Sequence, residues 1–276
     1  MSDFDRNVRA ASYDRALSRT EAAAIDQGLR AYMLQIYNYM ALGLAITGFA
    51  ALAIYMLSIT GDAAAAVKSA TGAPIRVAAG MFLTPVGYTL FVSPLKWVVI
   101  LAPLGMVFLL SYAIQRMRTT TAHMMFWVFA ALMGVSLSTV FLVYTHASIA
   151  RVFFITAASF GGLSLWGYTT QRDISGWGAF LYMGLIGLIL ASLVNLVLGA
   201  FGIASGMMQF VISVVGVLIF AGLTAYDTQR LKSEYIYGRM EGEVAERSAI
   251  MGALSLYLNF INLFTFLLQL LGQRNE

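Results

Sequence analysis

Few residues in this chain are placed to do chemistry, and Asp227 is the most conspicuous of them. It closes a long apolar run that begins near Met207. An ionised side chain at mid-membrane costs about 2.5–3.5 kcal/mol, and less toward the interface, so its presence needs a reason. At 100° per residue, Ser213, Gly216, Thr224 and Asp227 share one face of this run and make that face small and polar. Two readings stand side by side. Asp227 is either a buried functional carboxylate or an interfacial one paired with Arg230, one turn further on. The last apolar run, Ile250–Leu271, carries a second polar set. Ser255, Asn259, Asn262, Thr265 and Gln269 fall within an arc of about 120° at helical spacing. Such a stripe does not face lipid. It reads as hydrogen-bond glue, worth ~0.6–2 kcal/mol per bond, or as the lining of an ion path, with Asn259 the best candidate for more than glue. Arg116 ends an earlier apolar run at about the depth of Asp227. Its ordinary role is a topology anchor that snorkels to the headgroups, and an ion pair with Asp227 is the sharper alternative.

Other chemistries find little support. Cysteine is absent, which removes disulfides, iron–sulfur clusters, zinc knuckles and thiol catalysis. His123 and His146 lie at opposite ends of one apolar run, with no metal-site spacing around either. The net charge of +4 comes from bases scattered singly, so no nucleic-acid partner is expected, and no cofactor. An intramembrane aspartyl protease would need a second intramembrane aspartate beside Tyr226-Asp227, yet Asp62 and Asp173 fall in loops on opposite sides. Gly161-Gly162-Leu163-Ser164 does not match the GxSG serine of a rhomboid protease, and the last run lacks the lysine of a retinal protein. No enzyme is expected.

The elements that must carry these residues follow from composition. Apolar residues make up 60% of the 276 and charged residues only 11%, against about 25% charged in soluble domains. Seven stretches are long enough to cross a bilayer: Ala31–Leu57, Pro94–Ile114, Ala122–Tyr144, Ser148–Thr169, Trp177–Gly199, Met207–Tyr226 and Ile250–Leu271. Lipid offers the backbone no partners and strand-like alternation is absent, so the spans are helices. An eighth stretch, Val77–Val92, contains Pro85 and Gly87. Charge decides against it. With seven spans and the N-terminus inside, 12 of the 17 Lys/Arg fall in cytoplasmic segments, whereas an eighth span leaves 8 inside and 9 outside. The expected organisation is therefore all-α. It comprises a cytoplasmic tail at 1–30, a seven-helix domain at 31–272 with an external loop at 59–93, and a short tail at 273–276. Gly161, Gly162, Gly184 and Gly187 lie within spans and read as points of close helix packing.

The run FAGLTAYDTQRLK at Phe220–Lys232, with SLYLNFINLF at Ser255–Phe264 and YNYMALGLAITG at Tyr37–Gly48, resembles the Bax inhibitor-1 (transmembrane Bax-inhibitor-motif) family, in its bacterial branch. The resemblance covers about residues 30–272. It implies six helices around a central, polar seventh, in the bacterial plasma (inner) membrane. It also implies a pH-regulated calcium leak rather than an enzyme. In the family two aspartates on the sixth and seventh helices share a site near the cytoplasmic side, and an arginine ending the second helix engages the first of them when closed. The first aspartate falls on Asp227, the arginine on Arg116, and the second aspartate on Asn259. A calcium or other cation site would thus use Asp227 and Asn259. Two touching carboxylates titrate as a coupled pair, and an aspartate with an asparagine does not. The departure at Asn259 therefore predicts weak pH sensing and weak Ca²⁺ binding. The competing expectation is a regulatory protein that binds membrane proteases or other partners and conducts nothing.

Overall fold

A computed structural model describes residues 3–69, 72–78, 80–203, 205–238 and 242–275, with side chains described from Ile25 onward. The chain is an all-α membrane protein with seven transmembrane helices. Helix α1 (Asp3–Ser58) runs without interruption from the tail through the first span. After the 59–93 segment come α3 (Leu95–Ala113), a 3-10 turn at Ile114–Arg116, and α4 (Thr119–Leu137), continued after Ser138 by the short α5 (Thr139–Val143). The last four spans are α6 (His146–Thr169), α7 (Trp177–Ala200), α8 (Gly206–Gly238) and α9 (Gly242–Leu271).

The expected span boundaries hold within a few residues, except at the start of α1, which is helical from Asp3 rather than Ala31, and around the connection of α8 to α9. Hydropathy stops at Tyr226 and resumes at Ile250, but the helices continue on both sides of the gap, to Gly238 and from Gly242. A helix ends where its backbone bonds end, whereas hydropathy reports only where lipid ends. The 229–249 stretch is therefore mostly helix rather than loop, and Asp227 lies well inside α8.

Residues 59–93 do not form an eighth span. Their backbone is spent in a small antiparallel sheet of β1 (Ile59–Thr60), β2 (Arg76–Ala78) and β3 (Met81–Leu83), in the order β1-β3-β2. The short α2 (Pro85–Phe91) follows, with the Thr84 hydroxyl accepting from the Gly87 N–H and Pro85 at the first turn, where its missing N–H does no harm.

Packing puts α9 at the centre. Half of its most apolar stretch is buried inside the protein, against 11–33% for the other six spans, and it packs on α1, α4, α6 and α8. Large apolar side chains such as Phe108, Phe154, Phe180 and Leu193 point outward, as a lipid-facing surface requires. The surround is open between two of its helices. Helix α3 packs on α4 and α7 on α8, and a cavity of about 530 Å³ lies between α3 and α7.

Two local devices hold the frame. Pro103 in α3 cannot donate to the Val99 carbonyl one turn back, and the Ser136 hydroxyl from α4 donates to that oxygen at 2.6 Å instead. Gly134 lets α4 approach the α1 backbone at Thr47, where any Cβ would collide. The glycines that read as packing points behave differently: Gly161, Gly162 and Gly187 have open space where a Cβ would sit, and only Gly184 meets a neighbour, Ile219. Counting glycines within spans cannot say which helix face each occupies.

Candidate functional site

The residues that spacing places on one face of α8 are buried: Ser213, Thr224 and Asp227 are all within 2% of full burial. Asp227 points at α9. Its Oδ2 accepts hydrogen bonds from Ser255 Oγ at 2.8 Å and Asn259 Nδ2 at 2.7 Å. Ser255 and Asn259 are four residues apart, so one face of α9 presents both to a single carboxylate. The other oxygen, Oδ1, lies 3.2 Å from Arg230 Nη2. Arg230 is about one-third exposed and also faces Glu234, with Nε 3.6 Å from Oε1. Charge thus leads along α8 from the buried Asp227 to the surface.

Both readings of Asp227 contribute. It is buried, as a functional carboxylate would be, and it pairs with Arg230, as an interfacial one would. The expected partnership with Arg116 is not formed. Arg116 is exposed in the turn after α3 and lies over the Tyr112 ring, 5.8 Å from its centroid. Because α8 continues past Asp227, it supplies its own cation one turn on, at fixed geometry, and that cation occupies the free oxygen.

Two cavities meet at this pair. The larger, about 530 Å³, reaches from Asp227 and Asn259 past Asn262 toward the end of the bundle opposite the N-terminal tail. The second, about 350 Å³, extends toward the tail side and is lined by Arg230, Glu234, Ser248 and Ser111. Val107, Tyr182, Ser255 and Leu258 border both. Asp227 opens on one cavity and Arg230 on the other, so the ion pair sits on their boundary.

The stripe on α9 divides by depth. Ser255 and Asn259 serve Asp227, while Asn262 and Thr265 bond back to their own helix at the Leu258 and Ile261 carbonyls. Gln269 accepts from Gln209 Nε2 at 2.7 Å and Ser213 Oγ at 2.8 Å, and Gln209 in turn accepts from Asn195. The stripe bonds to α8 at both ends, and at its middle Asn262 faces the cavity.

As a metal centre the arrangement is sparse. Among the described residues no three His, Asp or Glu side chains gather. Asp227 and Asn259 do meet, as a hydrogen-bonded pair with the amide nitrogen toward the carboxylate. A hard cation, which seeks six to eight oxygens, would have to displace Arg230 and turn the Asn259 amide to present its oxygen.

Several partners had no signal in the sequence. Thr228 bonds Ser164, whose Oγ lies 2.6 Å from the Tyr37 hydroxyl, tying α8 to α6 and α1. Gln229 accepts from the Ile174 N–H and donates to the Arg172 carbonyl, fastening the α6–α7 connection. Lys232 donates to the Tyr168 carbonyl at 2.9 Å. The stretch Asp227–Lys232 therefore reaches α9, α6 and the 170–176 connection in turn. Outside the spans, the backbone N–H of Ser175 donates to Asp173 and holds its carboxyl below the usual carboxylate range.

A family model described as inhibitor of apoptosis-promoting Bax1 matches residues 29–276. An uncharacterized protein of Caulobacter vibrioides is 42% identical over the full length of both chains. The uncharacterized protein RP147 of Rickettsia prowazekii is 40% identical over 96% of this chain and 99% of its own. The inner membrane protein YbhL of Escherichia coli is 41% identical over 90% of this chain and 93% of its own. With a family match over nearly the whole chain and relatives of this similarity, the protein belongs to the Bax inhibitor-1 family.

Proposed function

We propose that the protein is a cation leak of the bacterial inner membrane, permeable to Ca²⁺, in which the Asp227–Arg230 pair closes the passage between two cavities and no reaction is catalysed. The observation that supports this reading is the position of the pair on the boundary of a 530 Å³ and a 350 Å³ cavity. A buried carboxylate attracts a cation out of the larger cavity, and the neighbouring guanidinium occupies the oxygen that the cation would need. Opening then consists of withdrawing Arg230 toward Glu234 and the smaller cavity. With one carboxylate and one neutral amide, the site holds Ca²⁺ weakly, which suits passage better than storage.

The N-terminus, the end of α8 at Gly238 and the start of α9 at Gly242 belong on the cytoplasmic side in this reading, supported by 12 Lys/Arg on that side against five on the other. Reporter fusions should read cytoplasmic at residue 240 and outside at Glu276, and a cytoplasmic Glu276 would overturn the orientation. The function is tested by Ca²⁺ entry into proteoliposomes, which should exceed that of protein-free liposomes. Entry at the protein-free level would leave the partner-binding role, with membrane proteases among the partners, as the better reading.

A further inference from the structure

Between α1 and α6 the surface opens into a cavity of about 500 Å³ that the proposed ion path does not use. Its walls are apolar, with Met33, Leu34, Met40 and Phe160 among them, and Gly161 widens it because nothing lies within 4 Å of where a Cβ would be. The hydroxyls inside are already satisfied, since Tyr37 and Ser164 bond each other and Ser164 also meets Thr228. Nothing within the slot calls for a polar ligand.

The mouth is different. Arg30 lines the tail-side end of the slot and is exposed. Among the described residues it has no hydrogen-bond or ion-pair partner, and Asp26, one turn earlier, does not pair with it. Lys232, bonded to the carbonyl of the lining residue Tyr168, adds positive charge near the same mouth without being free to move to a ligand. From Arg30 to Met40 the slot follows α1 for about 15 Å at 1.5 Å per residue. That is half of a hydrocarbon core about 30 Å thick, the depth of one leaflet.

We infer that this groove binds one anionic phospholipid of the tail-side leaflet, with its phosphate on Arg30 and one acyl chain between α1 and α6. The guanidinium fork matches a phosphate in geometry and charge. The apolar slot accepts a chain of leaflet length, and the net positive mouth favours a headgroup carrying net negative charge over a zwitterionic one. The occupant would rest against the Tyr37–Ser164–Thr228 hydroxyl chain, which ends on the residue following Asp227.

The full chain is reconstituted in vesicles of phosphatidylethanolamine with a minor share of phosphatidylglycerol, extracted in mild detergent, and its retained lipid counted by native mass spectrometry. The expected result is about one phosphatidylglycerol per chain, little phosphatidylethanolamine, and a loss of at least severalfold in both Arg30→Ala and Gly161→Phe. Arg118→Ala, which removes an equal charge elsewhere on the tail side, should leave retention unchanged. Arg30 is exposed, so its truncation does not threaten folding. Loss in Gly161→Phe alone overturns the inference, because the chain would be held without its charge being read. Loss in Arg30→Ala alone, equal loss in Arg118→Ala, or retention unchanged throughout overturns it as well.

Discussion

Helices α8 and α9 are joined by polar contacts at two levels, and the two are built on different principles. At the far end Gln269 accepts from Gln209 and Ser213, with Asn195 completing the set. Every member is neutral, so moving one side chain leaves a lost hydrogen bond and nothing worse. At the tail-side end one oxygen of Asp227 takes two neutral donors, while the other faces a partly exposed guanidinium that has a second carboxylate, Glu234, within reach. A neutral layer between helices is held by geometry alone. A charged one beside cavities can be moved by an ion that competes for the same oxygen. The first arrangement suits a fastener and the second a gate.

The contrast is broken most easily at Arg230. Arg230→Ala leaves Asp227 buried without its counter-charge. Removing one partner of a fully buried pair costs about 3–5 kcal/mol, and the exposure of Arg230 lowers the expectation to about 1–3 kcal/mol. Thermal unfolding in detergent, with Arg116→Ala as comparison, should show that loss for Arg230 and almost none for Arg116.

Asn259→Asp sharpens the contrast by adding a second carboxylate to the charged end. Ca²⁺ gains affinity with each carboxylate in its site, so binding should tighten by roughly tenfold. Protons compete with Ca²⁺ for the paired carboxylates, so flux in the variant should rise as pH increases from about 5 to 8. The natural chain should respond little over the same range. A natural chain that titrates as steeply as the variant would show that Asn259 does not set the pH response.

The smallest effect is expected at the neutral end. Gln269→Leu removes the acceptor for Gln209 and Ser213 and should lower stability by about 1 kcal/mol, in the range found for interhelical hydrogen bonds in membranes. Flux should not change. A rise in flux would make the amide layer a second gate and erase the distinction between the two ends.

Much of the frame was legible in the residues because lipid imposes simple rules. Seven apolar runs, their helical state, the exclusion of Val77–Val92 and the shared polar face of α8 all follow from hydropathy, charge and 100° spacing. The pairing of Asp227 with α9 was also within reach, since Ser255 and Asn259 share one side of that helix. The choice of cation was not. Arg116 and Arg230 are both basic residues at similar depth, and selecting between them needs the extent of α8 beyond the lipid, on which hydropathy is silent. The Ser136 bond that satisfies Val99 and the Tyr37–Ser164–Thr228 chain link helices distant in sequence, and no local pattern marks such pairs.

The claim that Asp227 and Arg230 form a gate together is tested most directly by a double-mutant cycle read in Ca²⁺ flux. Proteoliposomes would carry the natural chain, Arg230→Ala, Asp227→Asn, or both changes. The account predicts that Arg230→Ala raises flux severalfold when Asp227 is present and has no effect once Asp227 is asparagine. Equal effects of Arg230→Ala in both backgrounds, or none in either, would contradict it.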